Sequence, residues 1–193
     1  MLTNSCHGTP STPADAAALL RAAIRDDDPV LFLENLGLYN TKGEVPDEEV
    51  VGEIGRAAVT REGTDITLIG YSRMAMVANQ VADRLAEEGI SVEVVDLRSL
   101  RPLDRETVVE SVKKTGCAVI AEDDWLTYGI GAEIAASIQE GAFDYLDAPV
   151  RRVAMAEVPM PYAKPLETAA LPSAESITTV IHETLSAVGR RVG

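Results

Sequence analysis

Apolar positions along this chain fall into two alternating periods. Cys117 to Ala121 is a short apolar run, bounded by Gly116 and by the acids Glu122, Asp123 and Asp124. This predicts a buried strand that ends in a polar loop. After Trp125 and Gly129-Ile130-Gly131, apolar residues at Ile130, Ile134, Ala135 and Ile138 share the spacing of one helix face. The same strand–helix alternation extends both ways. Upstream, residues 54–72 hold two strand-like stretches around Glu62-Gly63, which predicts a hairpin or tight turn. The second of them, Ile66 to Tyr71, is apolar enough for a central strand. Met74, Val77, Val81 and Leu85 line one face of a helix closed by Gly89. A strand follows at Val92 to Leu97, then a helix with Asp104 as N-cap that ends in Lys113, Lys114 and Gly116. Beyond Pro149 the pattern gives one more strand, Val150 to Met155, and an irregular stretch with Pro159, Pro161, Pro165 and Pro172. A final helix runs from about Ala174 to Val188 with Ser173 as N-cap. Strands alternating with helices predict an α/β fold on a mostly parallel sheet.

The opening of the chain differs. Residues 1–12 are polar and proline-marked, and are expected to be loosely structured. A helix is predicted next, with Thr12 as N-cap, Pro13 at its first position and Asp15 in its first turn, continuing to about Arg25. Asp26, Asp27 and Asp28 follow, then Pro29 and a strand-like run from Val30 to Glu34. A lone helix and strand cannot bury both their faces, so this opening reads as the last helix–strand unit of a domain. Residues 35–50, rich in glycine and acids, read as a linker or an extended surface connection. The organisation is therefore residues 1–45, a domain remnant plus linker, and residues 46–193, an α/β domain. The three aspartates admit two readings. One is a solvated turn before a proline. The other is a hard monovalent cation, held by carboxylate and free carbonyl oxygens at a helix end, where carboxylates are otherwise unfavourable by roughly a few tenths of a kcal/mol each.

Composition narrows the function. Of 193 residues, 31 are acidic and 17 basic, a net charge of −14, which argues against bulk electrostatic binding of nucleic acid or an anionic membrane. It leaves room for a basic protein partner or for cations. No apolar run approaches the ~20 residues needed to span a bilayer. The first residues, MLTNSCHGTPSTP, lack the basic and apolar regions of a signal peptide. Two distant cysteines, Cys6 and Cys117, form neither a metal spacing nor a disulfide framework, so a cytoplasmic location is expected.

Candidate chemistry is sparse. The Glu122–Trp125 cluster reads either as an acid/base pair or as a solvated loop at a strand's carboxyl edge, with the loop favoured. Gly129-Ile130-Gly131 does not fit the G-x-G-x-x-G phosphate pattern, because Ile134 stands at the third glycine's place; close helix–strand packing is expected instead. Ser72-Arg73 lacks the G-x-S-x-G frame. Cys117 reads as a small core residue. Arg151 and Arg152 are expected to pair with nearby acids, and Trp125, Tyr128 and Tyr162 to act as packing or interface anchors.

Four blocks carry a resemblance: STPADAAALLRAAIRDDDPVLFLEN (Ser11 to Asn35), VEVVDLRSLRPLD (Val92 to Asp104), YGIGAEIAASI (Tyr128 to Ile138) and LDAPVRRVAMAEVPMPYAKPLE (Leu146 to Glu167). Together they resemble the beta subunit of the thiamine-diphosphate-dependent decarboxylase component of 2-oxoacid dehydrogenases, the pyruvate branch above all. The resemblance covers about Ser11 to Leu185. It implies a three-layer transketolase C-terminal-type domain, preceded by the last helix–strand unit of a pyrimidine-binding domain. It implies thiamine diphosphate with magnesium, shared with an alpha subunit, and a second beta subunit, giving a heterotetramer. It also implies a lipoyl acyltransferase core as partner. The strand edge at Glu122 to Trp125 then faces partner subunits. The family's cofactor-activating glutamate and catalytic histidine have no counterpart here, since neither His7 nor His182 matches. One site does carry over: Ala23 and Ile24 by their carbonyls, with Asp26 and Asp28, match a structural potassium site. The runner-up is a stand-alone, non-catalytic assembly module. Transketolase or deoxyxylulose-phosphate synthase ranks lower, because PMPYAKPLE favours the dehydrogenase branch.

Overall fold

The central strands sort their side chains by parity between two cores. In the computed structural model, which describes residues 5–190, these strands are β4 (Ile66–Gly70), β5 (Val92–Asp96) and β7 (Ala118–Trp125). Ile66, Leu68, Val92, Val94, Val119 and Ala121 enter one core. Ile69, Val95, Ala118 and Ile120 enter the other. Successive strand residues face opposite sides, so an apolar run means a sheet covered on both faces. The first core is closed by α2 (Arg73–Glu87) and α6 (Ala174–Ala187), which supply Met74, Val81, Leu85, Ile177 and Ile181. The second is closed by α3 (Arg105–Thr115) and α4 (Ile130–Ala142), through Val108, Val112, Ile134 and Ile138. With β3 (Ala58–Arg61) and β8 (Arg151–Met155) the sheet runs β3-β5-β4-β7-β8. It is parallel apart from β3, which pairs antiparallel with β5. This is the mostly parallel sheet that the alternating pattern predicts, in the three layers that the resemblance implies.

The hairpin expected around Glu62-Gly63 does not form. β3 and β4 are not neighbours, because β5 lies between them. The connection passes so close over β5 that a Cβ on Gly63 would sit 2.6 Å from the Val92 carbonyl oxygen. Glycine here is a crossing point, not a turn. The proline-rich stretch is also less irregular than expected. It contains α5 (Lys164–Ala170), with Pro165 at its start, where a missing N–H costs nothing.

Helix ends follow the sequence closely. Thr12, Asp104 and Ser173 accept hydrogen bonds from the backbone N–H of Asp15, Thr107 and Ser176, each at 3.1 Å. Gly89 and Gly116 take φ of 80° and 74° at the ends of α2 and α3.

The opening residues are not loose as far as they are described; the expectation for residues 1–4 lies outside the described residues. β1 (Cys6–Gly8) pairs parallel with β2 (Val30–Phe32) and antiparallel with β6 (Ser99–Arg101), giving a second sheet in the order β2-β1-β6. Ser5, Thr9 and Ser11 are buried. The backbone partner of β1 in the larger part lies some ninety residues away, so local polarity could not reveal it. Between β1 and β2 runs α1 (Pro13–Arg25). The linker lies along α1, with the Gly52 N–H donating to the Ala18 carbonyl at 2.9 Å and Arg25 paired with Glu49. Polar ties join this segment to the end of β5. The Thr9 N–H donates to the Arg98 carbonyl at 2.8 Å, the Ser11 hydroxyl donates to the fully buried Asp96 carboxylate, and Arg98 meets Asp15 at 2.7 Å.

Candidate functional site: the carboxyl edge of the central sheet

Parallel α/β sheets present their working surface at the carboxyl ends of the strands, where successive crossovers part to opposite faces. Here the crossover after β4 uses α2 on one face, and that after β7 uses α4 on the other. The edge between β4 and β7 is therefore the place to look. Backbone strain marks the same edge. Among the described residues, the non-glycine positions with positive φ are Ser72 (50°), Arg98 (56°) and Tyr128 (61°). They follow β4, β5 and β7 respectively. Such conformations cost on the order of 1–3 kcal/mol each and persist only where surrounding contacts hold them.

The acidic cluster is not the solvated loop that the sequence favours, nor a free acid/base pair. β7 continues through it to Trp125, with a register irregularity between Ala121 and Trp125, and bulges of this kind re-aim side chains. Glu122 points into the second core and is fully buried. One carboxylate oxygen accepts from Arg152 Nε at 3.0 Å and Nη2 at 2.6 Å; the other accepts from the Gly131 N–H at 2.7 Å. A buried carboxylate thus caps the positive end of α4. This explains Gly131, where a Cβ would lie 2.7 Å from Glu122 Cδ; at Gly129 a Cβ would run first into the Trp125 carbonyl oxygen, with Glu122 Oε2 at 3.0 Å. Close packing was expected there; the carboxylate as the thing packed against was not. Asp123 holds Arg73 in a two-point pair at 2.8 and 2.5 Å, and Asp124 accepts from the Trp125 N–H at 2.8 Å. Burial, then Glu122, Asp124 and Asp123 in turn, push the Tyr71 phenol up.

Outside this polar base lies an apolar surface. Tyr128 and Tyr162 are fully exposed, and Trp125, Leu126, Val158 and Met160 are two-fifths or more exposed. The two loops that carry them are tied together: Thr127 donates to Glu157 from its N–H at 3.0 Å and from its hydroxyl at 2.6 Å. Those two donors hold the Glu157 carboxyl below its ordinary range. Beside the surface runs a cleft of about 720 Å³, lined among others by Arg73, Asp123, Met160, Lys164 and Ser173.

The residues predicted as cation ligands lie elsewhere, in the N-terminal segment. Ala23 and Ile24 occupy the last turn of α1, Asp26 is its C-cap, and the Asp28 N–H donates to the Asp26 carboxylate at 2.9 Å. Burial, then Asp26 and Asp28, raise the Cys6 thiol. Among the described residues no group of three or more His, Cys, Asp or Glu gathers as a metal site, so a cation here would need backbone carbonyls beside the aspartate oxygens. Cys117 is buried, with its thiol pushed up by burial. Of the two arginines predicted to find acids, Arg152 finds Glu122 and Arg151 meets Glu183 at 3.1 Å. His182 pairs with Glu88 at 2.9 Å, away from the edge. Among the described residues no helix is long and apolar enough to cross a membrane.

Comparison with known proteins gives this edge a context. Residues 55–177 match the family described as "Transketolase, C-terminal domain". The chain is 50% identical over 172 residues to the "Pyruvate dehydrogenase E1 component subunit beta, mitochondrial" of Dictyostelium discoideum, covering 87% of this chain and 48% of that one. It is 50% identical over 172 residues to the beta-1 subunit of Arabidopsis thaliana, covering 87% and 47%. The Saccharomyces cerevisiae subunit is 44% identical over 182 residues, covering 92% and 50%. The chain thus spans about half the length of the curated relatives it matches. A solved structure described as "Split gene transketolase, inactive beta4 tetramer" superposes with TM-score 0.76 at 28% identity, over 95% of this chain and 58% of that one. The names of these relatives correct the expected cytoplasmic location, since they are mitochondrial proteins. Unpaired cysteines separate oxidising from reducing surroundings; they do not separate one reducing compartment from another. With its sheet order, its two cores and its matched residues, the chain belongs to the transketolase C-terminal domain family.

Proposed function

We propose that this chain is the C-terminal part of the beta subunit of a pyruvate dehydrogenase-type E1 component, which supports oxidative decarboxylation of a 2-oxoacid and acyl transfer to a lipoyl arm. One observation carries the reading: identity of about 50% to subunits of that name runs through 87% of the chain. The contribution of this region is assembly. The exposed Trp125, Leu126, Tyr128, Met160 and Tyr162 supply aromatic and apolar anchors of the kind that subunit contacts use. The natural partners are an alpha subunit, a second beta subunit and the lipoyl acyltransferase core. A net charge of −14 suits a basic docking module on the last of these. A second reading, an assembly module without catalysis, draws on the structural neighbour, which is described as inactive.

Thiamine diphosphate with magnesium is the cofactor this function implies, and the described residues at the edge do not fit a diphosphate. The α4 N-terminus that would attract it already holds the Glu122 carboxylate, and Arg73 is engaged by Asp123. The cofactor's seat therefore belongs to the alpha subunit and to beta-subunit residues beyond this chain. An antibody against α6 is expected to precipitate, from the protein's own cells, pyruvate-oxidising activity that requires added thiamine diphosphate. A precipitate rich in this chain but without that activity would sink the enzyme-subunit reading in favour of the assembly module.

The C-terminus of α1 completes the proposal as a potassium seat, with the carbonyls of Ala23 and Ile24 and the oxygens of Asp26 and Asp28. Binding to the folded state alone adds about 1.4 kcal/mol at ten times Kd. Replacing choline chloride by potassium chloride at constant ionic strength should raise Tm in the wild type and leave Asp26→Ala unmoved. An equal response in both proteins rules the seat out.

A further inference from the structure

We infer that Glu122 is a positioning residue, whose buried carboxylate holds the segment from Asp123 to Ile130, the end of β7 and the loop into α4, in the shape that presents Trp125, Leu126 and Tyr128. The inference rests on reading this edge as an assembly surface, and goes beyond it by naming what sets the surface's geometry.

The loop is held at three points. Glu122 stands at its start, on β7. The same carboxylate accepts the Gly131 N–H just past the loop's end, at 2.7 Å. It is anchored in turn to Arg152 on β8, a guanidinium that is itself largely buried. In the middle, Thr127 is tied through both its N–H and its hydroxyl to Glu157 in the neighbouring loop. Tyr128 sits between these anchors with φ of 61°, a conformation a tyrosine does not hold unaided. Releasing either anchor lets that residue relax and moves its fully exposed ring. The surface is thereby ordered before any partner arrives, so association does not bear the cost of ordering it. The acid-pair reading of the sequence missed this role, because the carboxylate works on the backbone around it and not on a substrate.

The chemistry of the cap makes a sharp test. Both oxygens of Glu122 accept. Glu122→Gln keeps the shape but turns one of them into a donor, facing either Arg152 or the Gly131 N–H. Amide hydrogen exchange, followed residue by residue by NMR on the full chain, is the direct readout. In Glu122→Gln the Gly131 and Thr127 amides are expected to lose about ten- to a hundredfold protection, the range set by losing a hydrogen bond to a charged acceptor. Thr127→Val, which leaves the core untouched, should loosen Thr127 and Tyr128 in the same way. Ile138→Val, a core variant that lowers stability, should leave the loop amides unchanged relative to the rest of the chain. Unchanged loop protection in folded Glu122→Gln and in Thr127→Val overturns the proposal. So does loss of protection spread evenly over the chain, since that is what a merely structural role would give. Self-association by sedimentation velocity separates this from the assembly reading. If the loop loosens and association of the variants matches the wild type, Glu122 still positions the loop, and it is the assembly reading that fails.

Discussion

Glu122→Ala should lower the free energy of unfolding by about 3–5 kcal/mol, the range for breaking a buried ion pair from one side. Alanine leaves the Arg152 guanidinium, only 16% exposed, with its partner gone, and leaves the Gly131 N–H at the head of α4 without an acceptor. An uncompensated buried charge is the larger part of that cost, ahead of the lost hydrogen bonds. A second substitution should rescue part of this loss. Adding Arg152→Met removes the stranded charge, so the double variant should recover a substantial part of the loss, and the coupling should appear in a double-mutant cycle. Urea unfolding at neutral pH measures all four proteins. A single-variant loss below about 1 kcal/mol, in the range of exposed pairs, would mean that Glu122 is not the buried anchor described above.

The second large effect concerns Asp96, at the carboxyl end of β5. Burial raises its carboxyl from the ordinary 3.8 to about 6, against the lowering influence of the Ser11 hydroxyl and the Arg98 N–H; Asp15 adds to the rise and the Arg98 charge opposes it. A folded-state pKa above the unfolded one means that the folded protein binds the proton more tightly. The stability from this group is therefore fully present below the unfolded pKa and lost as pH rises through the folded value. Its size is about 3 kcal/mol. Asp96→Asn carries no such titration, and its amide can still donate to the Ser11 oxygen. The stability of the wild type relative to Asp96→Asn should therefore fall by up to about 3 kcal/mol between roughly pH 4 and pH 7. Parallel pH profiles for the two proteins would contradict it. A difference that grows toward neutral pH in favour of the wild type would show the carboxylate to be stabilised, not penalised, by its burial.

What the sequence revealed and what it hid divide along a physical line. Caps are local: Thr12, Asp104 and Ser173 each act on an amide three residues on, so residue type and spacing suffice. The two-core sheet was legible for a similar reason, since an apolar run such as Ile66 to Gly70 states that both faces are covered. Pairings between distant segments left no such mark. Nothing near Gly63 says that β5 will come between β3 and β4, and nothing near His7 and Gly8 says that they will lie beside Ser99–Arg101. The candidate site fell on both sides of the line. Its place at a strand's carboxyl edge was readable, as was the tendency of Arg151 and Arg152 to seek acids. The burial of Glu122 was not, because its partner lies thirty residues on and its neighbours Asp123 and Asp124 look like solvated charge. The two glycines after it were the one available signal. A helix opening Gly-x-Gly that fails the phosphate pattern still needs something to come close, and here that is the Trp125 carbonyl at Gly129 and the Glu122 side chain at Gly131.

The most direct test of the proposed role is native mass spectrometry of the protein as isolated from its own cells. The account predicts this sequence in a hetero-oligomer that holds an alpha subunit and more than one beta copy, with Trp125, Tyr128 and Tyr162 protected from surface labelling. A lone chain of 20.6 kDa, with those three aromatics labelled, would contradict it.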